Sequence, residues 1–261
     1  MADPRHPRTD TVVVLTAGGV FPEIVINALA SRFDNVVVLM EEPETVGQIF
    51  RRWVKLRGWP LAIGQLAFGP IQKLAALRAR YRRAEILKSA GLDPTPNTRV
   101  TRRAIGNVNS ETCRDTLREQ QPKVVLVVGT RMIRRPTLDS VKAPFINYHA
   151  GINPQYRGQY GGYWAFAKGD DLNAGVTVHL VDQGVDTGAI LFTAPIARTA
   201  QDNVATYHYL QVAAAVPIVL QAVEAAVRDR LEPVRSHGPS AQWFHPTIWE
   251  YLGNGLRTGI W

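Results

Sequence analysis

Three residues within one stretch have side chains suited to handling protons and developing negative charge: Asn147, His149 and Asp186. Asn147 and His149 stand two apart, where the short apolar run Phe145–Asn147 gives way to a polar turn rich in Gly and Pro. Side chains alternate along extended backbone, so an amide and an imidazole at this spacing project to the same side. Asp186 lies in Val181-Asp182-Gln183-Gly184-Val185-Asp186-Thr187-Gly188, which follows the alternating segment Gly175–Val181. An amide N–H and an imidazole aimed at one oxygen stabilise charge as it forms there. A carboxylate beside them can orient the imidazole and raise its pKa. Each residue also has an ordinary reading. A His after a strand is commonly structural, Asp-Thr-Gly is a common turn, and Asp182 competes with Asp186 for the acidic role. No Cys lies nearby and no Gly-x-Ser-x-Gly elbow occurs, so no covalent nucleophile is expected.

Elements able to position these residues alternate along the chain. Thr11–Thr16, Asn35–Met40, Lys123–Val128 and Ala189–Ile196 read as strands, the first two parallel, from runs of β-branched residues. Helices are expected over about Pro22–Phe33, from the Asn109-Ser110 cap to Gln120, and over about Asn203–Asp229, with a kink at Pro217. The loop Leu92–Arg103 leads into a short strand. Such alternation predicts an α/β sheet of Rossmann-like type, with reacting groups displayed at strand ends. The turn Gly18-Gly19 between the first strand and helix offers backbone N–H groups to an anion, or is simply a tight turn. The dinucleotide glycine pattern is absent, so NAD is not indicated.

With 261 residues and 46% apolar content, the chain can build one sizeable core. One cysteine, Cys113, allows no intrachain disulfide, and six scattered histidines give no ligand spacing, so no metal is expected. The amino terminus is polar and no apolar run approaches ~18 residues, which predicts a soluble, cytoplasmic protein. The net charge of +8 points to anionic partners. That charge is concentrated: Arg51 to Ala90 carries ten Lys and Arg against Glu85 alone. Two or three amphipathic helices, broken at Gly58-Trp59-Pro60 and Gly69-Pro70, are expected here as an insertion over 41–92. A solvated face, a phosphate-rich substrate, an acidic membrane touched through 51–88 and nucleic acid all stay open for this segment; membrane contact requires Trp53, Trp59, Leu66 and Phe68 on one exposed face.

Asn-Tyr-His at 147–149, then Pro154, Tyr156-Arg157-Gly158 and the Val181–Gly188 segment, resemble the folate-dependent formyltransferases. That family includes the glycinamide ribonucleotide, methionyl-tRNA and nucleotide-sugar N-formyltransferases. The resemblance is best over Lys123–Pro195. It implies a catalytic domain over 1–200, with 201–261 forming a helix and tail on the same domain. It also implies Asn147, His149 and Asp186 as the catalytic set and N10-formyltetrahydrofolate as co-substrate, without metal. Formyl transfer passes through a tetrahedral species whose oxygen Asn147 and His149 would stabilise. Thr130, Arg131, Met132 and Ile133, together with Val181, Asp182 and Gly184, are then expected to hold the folate. Gly18, Gly19, Tyr156, Arg157 and Tyr160 are expected to hold the acceptor, with Tyr156 and Tyr160 stacking on a base or sugar and Tyr163 and Trp164 in the core. The family's usual Pro-Ser-Leu-Leu-Pro is replaced by Ala150-Gly151-Ile152-Asn153-Pro154, which bears on the acceptor. A small amino sugar, phosphorylated or carried on a nucleotide, fits best, with no nucleic-acid partner. A formyltetrahydrofolate hydrolase and a non-catalytic basic peripheral protein are the alternatives, and a dimer stays open. Removing His149 or Asp186 is expected to leave the fold intact.

Overall fold

The computed structural model describes residues 10–261. The expectation for the extreme amino terminus falls outside them. The β-branched runs form β1 (Val12–Thr16) and β2 (Val36–Glu41), with α1 (Val20–Arg32) between them. Three helices follow: α2 (Val46–Arg57), α3 (Trp59–Arg78) and α4 (Arg80–Ser89). Then come β3 (Thr101–Gly106), α5 (Glu111–Gln120), β4 (Val124–Val127), α6 (Arg135–Leu138) and β5 (Phe145–His149). The remainder is β6 (Arg157–Gly158), α7 (Gly161–Ala167), β7 (Gly175–Leu180), β8 (Ile190–Pro195), α8 (Tyr207–Val227), β9 (Gln242–Trp243) and α9 (Ile248–Thr258).

Seven strands make one sheet in the order β3-β2-β1-β4-β5-β7-β8. The first five in that order are parallel; β7 runs antiparallel to β5, and β8 antiparallel to β7. Strands β1 and β4 are buried along their whole length, which is why they read as continuous apolar runs rather than alternating ones. Two registers decide the site. Val127 of β4 sits opposite Asn147 on one side, and His179 of β7 sits opposite it on the other.

Helix α8 is long and apolar enough to cross a membrane by length and composition, against the expectation that no such run exists. Its apolar faces instead pack into the core with Ile24, Val25, Leu126, Ile146 and Val178. The basic insertion also differs from its expected form. The chain breaks at Gly58, but α3 continues through Gly69-Pro70. Pro70 removes one helical N–H, and this costs little because Leu66, whose carbonyl loses that partner, is exposed to water. Phe68 is fully buried against Tyr160, His245 and Tyr251, so the four-residue membrane face does not exist. One of the arginines is structural as well. Arg82 makes a two-pronged ion pair at 2.9 and 3.0 Å with Asp202, whose side chain has no exposure.

Candidate active site

Asn147 and His149 lie within β5 rather than after it, and their side chains do share one face. Asp186 reaches that face from the loop between β7 and β8, on backbone in the left-handed region (φ 51°) that Asp tolerates better than most residues. Its Oδ2 lies 3.3 Å from His149 Nδ1, and its Oδ1 accepts from Asn147 Nδ2 at 3.2 Å. The backbone N–H of Gly158 donates to Oδ2 at 2.9 Å. Gly158 is held at φ 94°, and a Cβ there would come within 2.3 Å of the Trp243 carbonyl oxygen. The strand pair β6–β9 therefore carries this donor to the carboxylate at a position only glycine fills.

A fourth member of the cluster was not singled out from the sequence. His179, buried in β7 opposite Asn147, places Nε2 3.1 Å from Asn147 Nδ2 and 3.4 Å from Asp186 Oδ1. Its Nδ1 lies 2.7 Å from the Leu180 carbonyl, so Nε2 is the nitrogen turned to Asn147 and Asp186. The signal was a polar residue inside Gly-Val-Thr-Val-His-Leu, on the same face of the strand as Thr177.

The electrostatics follow from burial. Desolvation alone would raise the Asp186 carboxyl, but His149, His179 and the Gly158 N–H outweigh it and hold it at about 2. Burial pushes the His149 imidazole down, against the upward pull of Asp186 and the Tyr156 carbonyl. His149 Nε2 lies 2.8 Å from that carbonyl, so both ring nitrogens face acceptors. A neutral ring must then aim one lone pair at an oxygen. Asn147 Nδ2 likewise donates to Asp186 Oδ1 and faces His179 Nε2. The amide and imidazole expected to face a substrate oxygen are thus turned towards their own neighbours.

A formyl transferase family model matches residues 82–222, more than half of the chain and all four clustered side chains. The chain belongs to the formyl transferase family. Methionyl-tRNA formyltransferase of Bacteroides thetaiotaomicron is 32% identical over 120 residues, 45% of this chain and 36% of that protein. The corresponding enzyme of Finegoldia magna is 37% identical over 86 residues, 33% of this chain and 27% of that protein. The matched stretch thus spans about a third of these relatives' length. Among solved structures, a sugar N-formyltransferase from Shewanella superposes with TM-score 0.56 at 15% identity, covering 90% of this chain and 76% of that one. Glycinamide ribonucleotide transformylase 1 from Symbiobacterium toebii gives 0.56 at 19%, covering 87% and 92%. An N-formyltransferase from Helicobacter canadensis, solved with folinic acid and dTDP-3-aminofucose, gives 0.57 at 10%, covering 90% and 70%. At these identities the structures share the fold.

In this formyl transferase chain the expected folate loops flank Asn147 from its two neighbouring strands. The loop after β4 starts beside Asn147, and Ile133, Phe145 and Val181 join one apolar cluster, bringing the two loops together. Ile133 is buried there, so its side chain is core rather than ligand surface. Arg131 is tied down too: its guanidinium binds Glu41 Oε2 at 2.9 Å and the Glu42 carbonyl at 2.7 Å, while its N–H donates to Glu41 Oε1. Met132 is exposed and Thr130 half-buried; both stay accessible. Asp182 is exposed and accepts from Gly184 N and Thr187 Oγ1, a turn-closing role that leaves the buried position to Asp186.

The acceptor residues need more correction. Tyr156 is buried, stacked on Trp243 with its hydroxyl on Asp170, and cannot stack on a ligand. The Tyr160 ring is enclosed by Phe68, His208 and His245, and its hydroxyl accepts from Gln72. Arg157 donates to Ser240 Oγ and to the Val185 carbonyl, bracing the Asp186 loop. Tyr163 and Trp164 are core residues. Gly18 and Gly19 precede α1, which has no side-chain cap. A cavity of about 250 Å³ opens at its first turn, where Phe21 meets Lys73, Arg83 and His208.

Proposed function

We propose that the chain moves the formyl group of N10-formyltetrahydrofolate to the amine of a small, phosphorylated or nucleotide-linked amino sugar in the cytoplasm, by direct attack and without a covalent enzyme intermediate. The observation supporting this is the meeting of Asn147, His149 and Asp186 within hydrogen-bond reach on β5 of a formyl transferase family member. Thr130 and Met132, with Val181, Asp182 and Gly184, stand on the two loops flanking Asn147 and would hold the folate there. When bound, it supplies the activated formyl group. The chain's own residues do the rest. Asn147 Nδ2 and His149 Nε2 are the donors for the formyl oxygen as it gains charge. Asp186, ionised at neutral pH, keeps the imidazole oriented and passes the proton leaving the amine onward through water, to be taken up by the departing N10 amine.

This chemistry requires the Tyr156 carbonyl to release a proton-bearing His149 Nε2, and Asn147 Nδ2 to exchange a present partner for the formyl oxygen. The test is incubation with N10-formyltetrahydrofolate and a panel of nucleotide-linked amino sugars, following tetrahydrofolate by absorbance and N-formyl product by mass. Product with a sugar amine supports the proposal. Stoichiometric formate without amine means a hydrolase, formylation confined to methionyl-tRNA reassigns the acceptor, and no turnover overturns the reading.

A further inference from the structure

The tail and the basic insertion meet in a cleft that the triad does not use. Its volume is about 460 Å³, and none of Asn147, His149, His179 or Asp186 lines it. Three cations reach it from three different elements: Arg57 at the end of α2, Lys168 just after α7, and Arg257 on α9. No carboxylate among the described residues pairs with any of them. The one acid in the wall, Glu250, is already engaged by the Thr247 N–H and hydroxyl in the capping box of α9. Arg57 lies 4.3 Å over the Phe244 ring and Lys168 5.6 Å over Trp243, which fixes two of the charges against apolar surface.

The wall also offers one aromatic ring with free surface. Trp243 is covered by Tyr156 and Trp164, and Phe244 by Arg57. Trp249 is 49% exposed. Part of its ring rests on Gly64 of α3, where a Cβ would fall 2.2 Å from Trp249 Cη2. That contact immobilises the indole in place, so little side-chain freedom is left to lose on stacking. Unpaired cations beside a fixed, open aromatic face are complementary to a planar group carrying several negative charges.

We propose that this cleft is a binding site for a nucleoside diphosphate, with the base against Trp249 and the phosphates held by Lys168, Arg257 and Arg57. The site is separate from the triad and stands whether or not the chain transfers formyl groups. It lies one strand away from Asp186: β9 forms part of its wall and pairs with β6, whose Gly158 N–H holds that carboxylate.

The test is calorimetric titration of the full chain with uridine diphosphate, uridine and inorganic pyrophosphate at low salt. Uridine diphosphate should bind at least about tenfold more tightly than either fragment, since stacking and charge pairing each contribute. Lys168→Gln with Arg257→Gln should weaken it at least about tenfold, the loss expected for charge-assisted hydrogen bonds. Trp249→Ala should bring uridine diphosphate down to the level of pyrophosphate. Gly64→Ala, which displaces the indole without removing it, should act in the same direction. Melting temperatures separate the result from misfolding, because Arg257 also donates to the Gly253 carbonyl and to Oδ1 of buried Asn254; Lys168→Gln alone should weaken binding severalfold with an unchanged melting temperature. Equal affinity for uridine diphosphate and pyrophosphate, or no response to the charge variants, overturns the proposal.

Discussion

Two charged regions of this molecule are built on opposite plans. Around β5 the carboxylate of Asp186 is 14% exposed and is contacted by His149, His179, Asn147 and the Gly158 N–H. In the cleft between α2, α7 and α9, three cations converge with no carboxylate to pair with. The first set is mutually satisfied and fixes geometry; the second is held by ring faces and, at Arg257, by two hydrogen bonds, but its charge has no counter-charge. Groups meant to act on a reacting atom gain from being held in place before the substrate arrives. Groups meant to bind keep their capacity for a partner. Neither of the two cavities described above is lined by the clustered residues.

The largest expected effect tests the closed region. His149→Ala and Asp186→Asn should each lower kcat about 10³-fold, the range seen when a transition-state donor or its orienting group is lost. Asn147→Ala should lower kcat about 10²-fold with KM little changed, because its donor matters most when the oxygen carries charge. Steady-state rates with formyltetrahydrofolate and a competent amine decide it, and wild-type kcat in Asp186→Asn would end the assignment. Asp186→Ala should in addition destabilise the fold by about 2–4 kcal/mol, since buried donors left unpaired cost about 1–3 kcal/mol each. This departs from the expectation that the triad is dispensable for folding.

The next effect lies in the basic insertion and separates its structural charge from its free charge. Arg82→Ala leaves Asp202, with no side-chain exposure, without its guanidinium. Breaking such a pair from one side costs about 3 kcal/mol or more. Urea melts should show it, and a shift below about 0.5 kcal/mol, the range of an ordinary surface change, would make the pair incidental.

These two regions were not equally legible. The strand runs and the meeting of Asn147, His149 and Asp186 could be read from the sequence, because buried strands impose β-branched runs and the family motif carries these residue types at a fixed spacing. His179 escaped notice because its role depends on antiparallel register with Asn147, which no local pattern encodes. Tyr156 and Tyr160 looked like ligand rings because they sit in a polar loop. Their burial depends on Trp243 and His245, roughly eighty-five residues later, meeting them through β9. Arg82 looked like the other arginines of its segment until Asp202 was placed beside it. Interactions set by long-range contacts leave composition in the sequence, but not position.

A smaller effect concerns pH. Burial, with Phe21 and Tyr160 packed against the ring, pushes the His208 imidazole down from 6.5 to about 4. As pH falls below 6.5 the unfolded chain takes up this proton first, so stability is complete above that value and is lost between 6.5 and 4. The loss should reach about 1–3 kcal/mol, and the depressed His149 adds to it in the same direction. Asp186, held at about 2, acts in a separate window: its contribution is present above 3.8 and falls away only as pH drops towards 2. Denaturant melts at pH 7.5 and 4.5 should differ less for His208→Gln than for the wild type. An equal difference in both would place the titration elsewhere.

The smallest effect on stability tests the open charge most directly. Lys73 and Arg78 are exposed on α3, and Lys73 borders the cavity at the first turn of α1, beside Arg83 and His208. Replacing both with Gln should change stability by no more than about 0.5 kcal/mol, because neither holds a buried partner. If the insertion helps to gather an anionic acceptor at the uncapped helix start after Gly19, the same variant should raise KM severalfold at low salt and leave kcat alone. Adding salt should erase the difference, since charges separated by more than about 8–10 Å are screened at physiological ionic strength. Arg82→Ala should behave in the reverse way, moving the melting transition with little salt dependence in KM. A double variant with unchanged KM at every salt concentration would leave Lys73 and Arg78 as a solvated face, with attraction for the acceptor confined to Arg83 and the α1 turn.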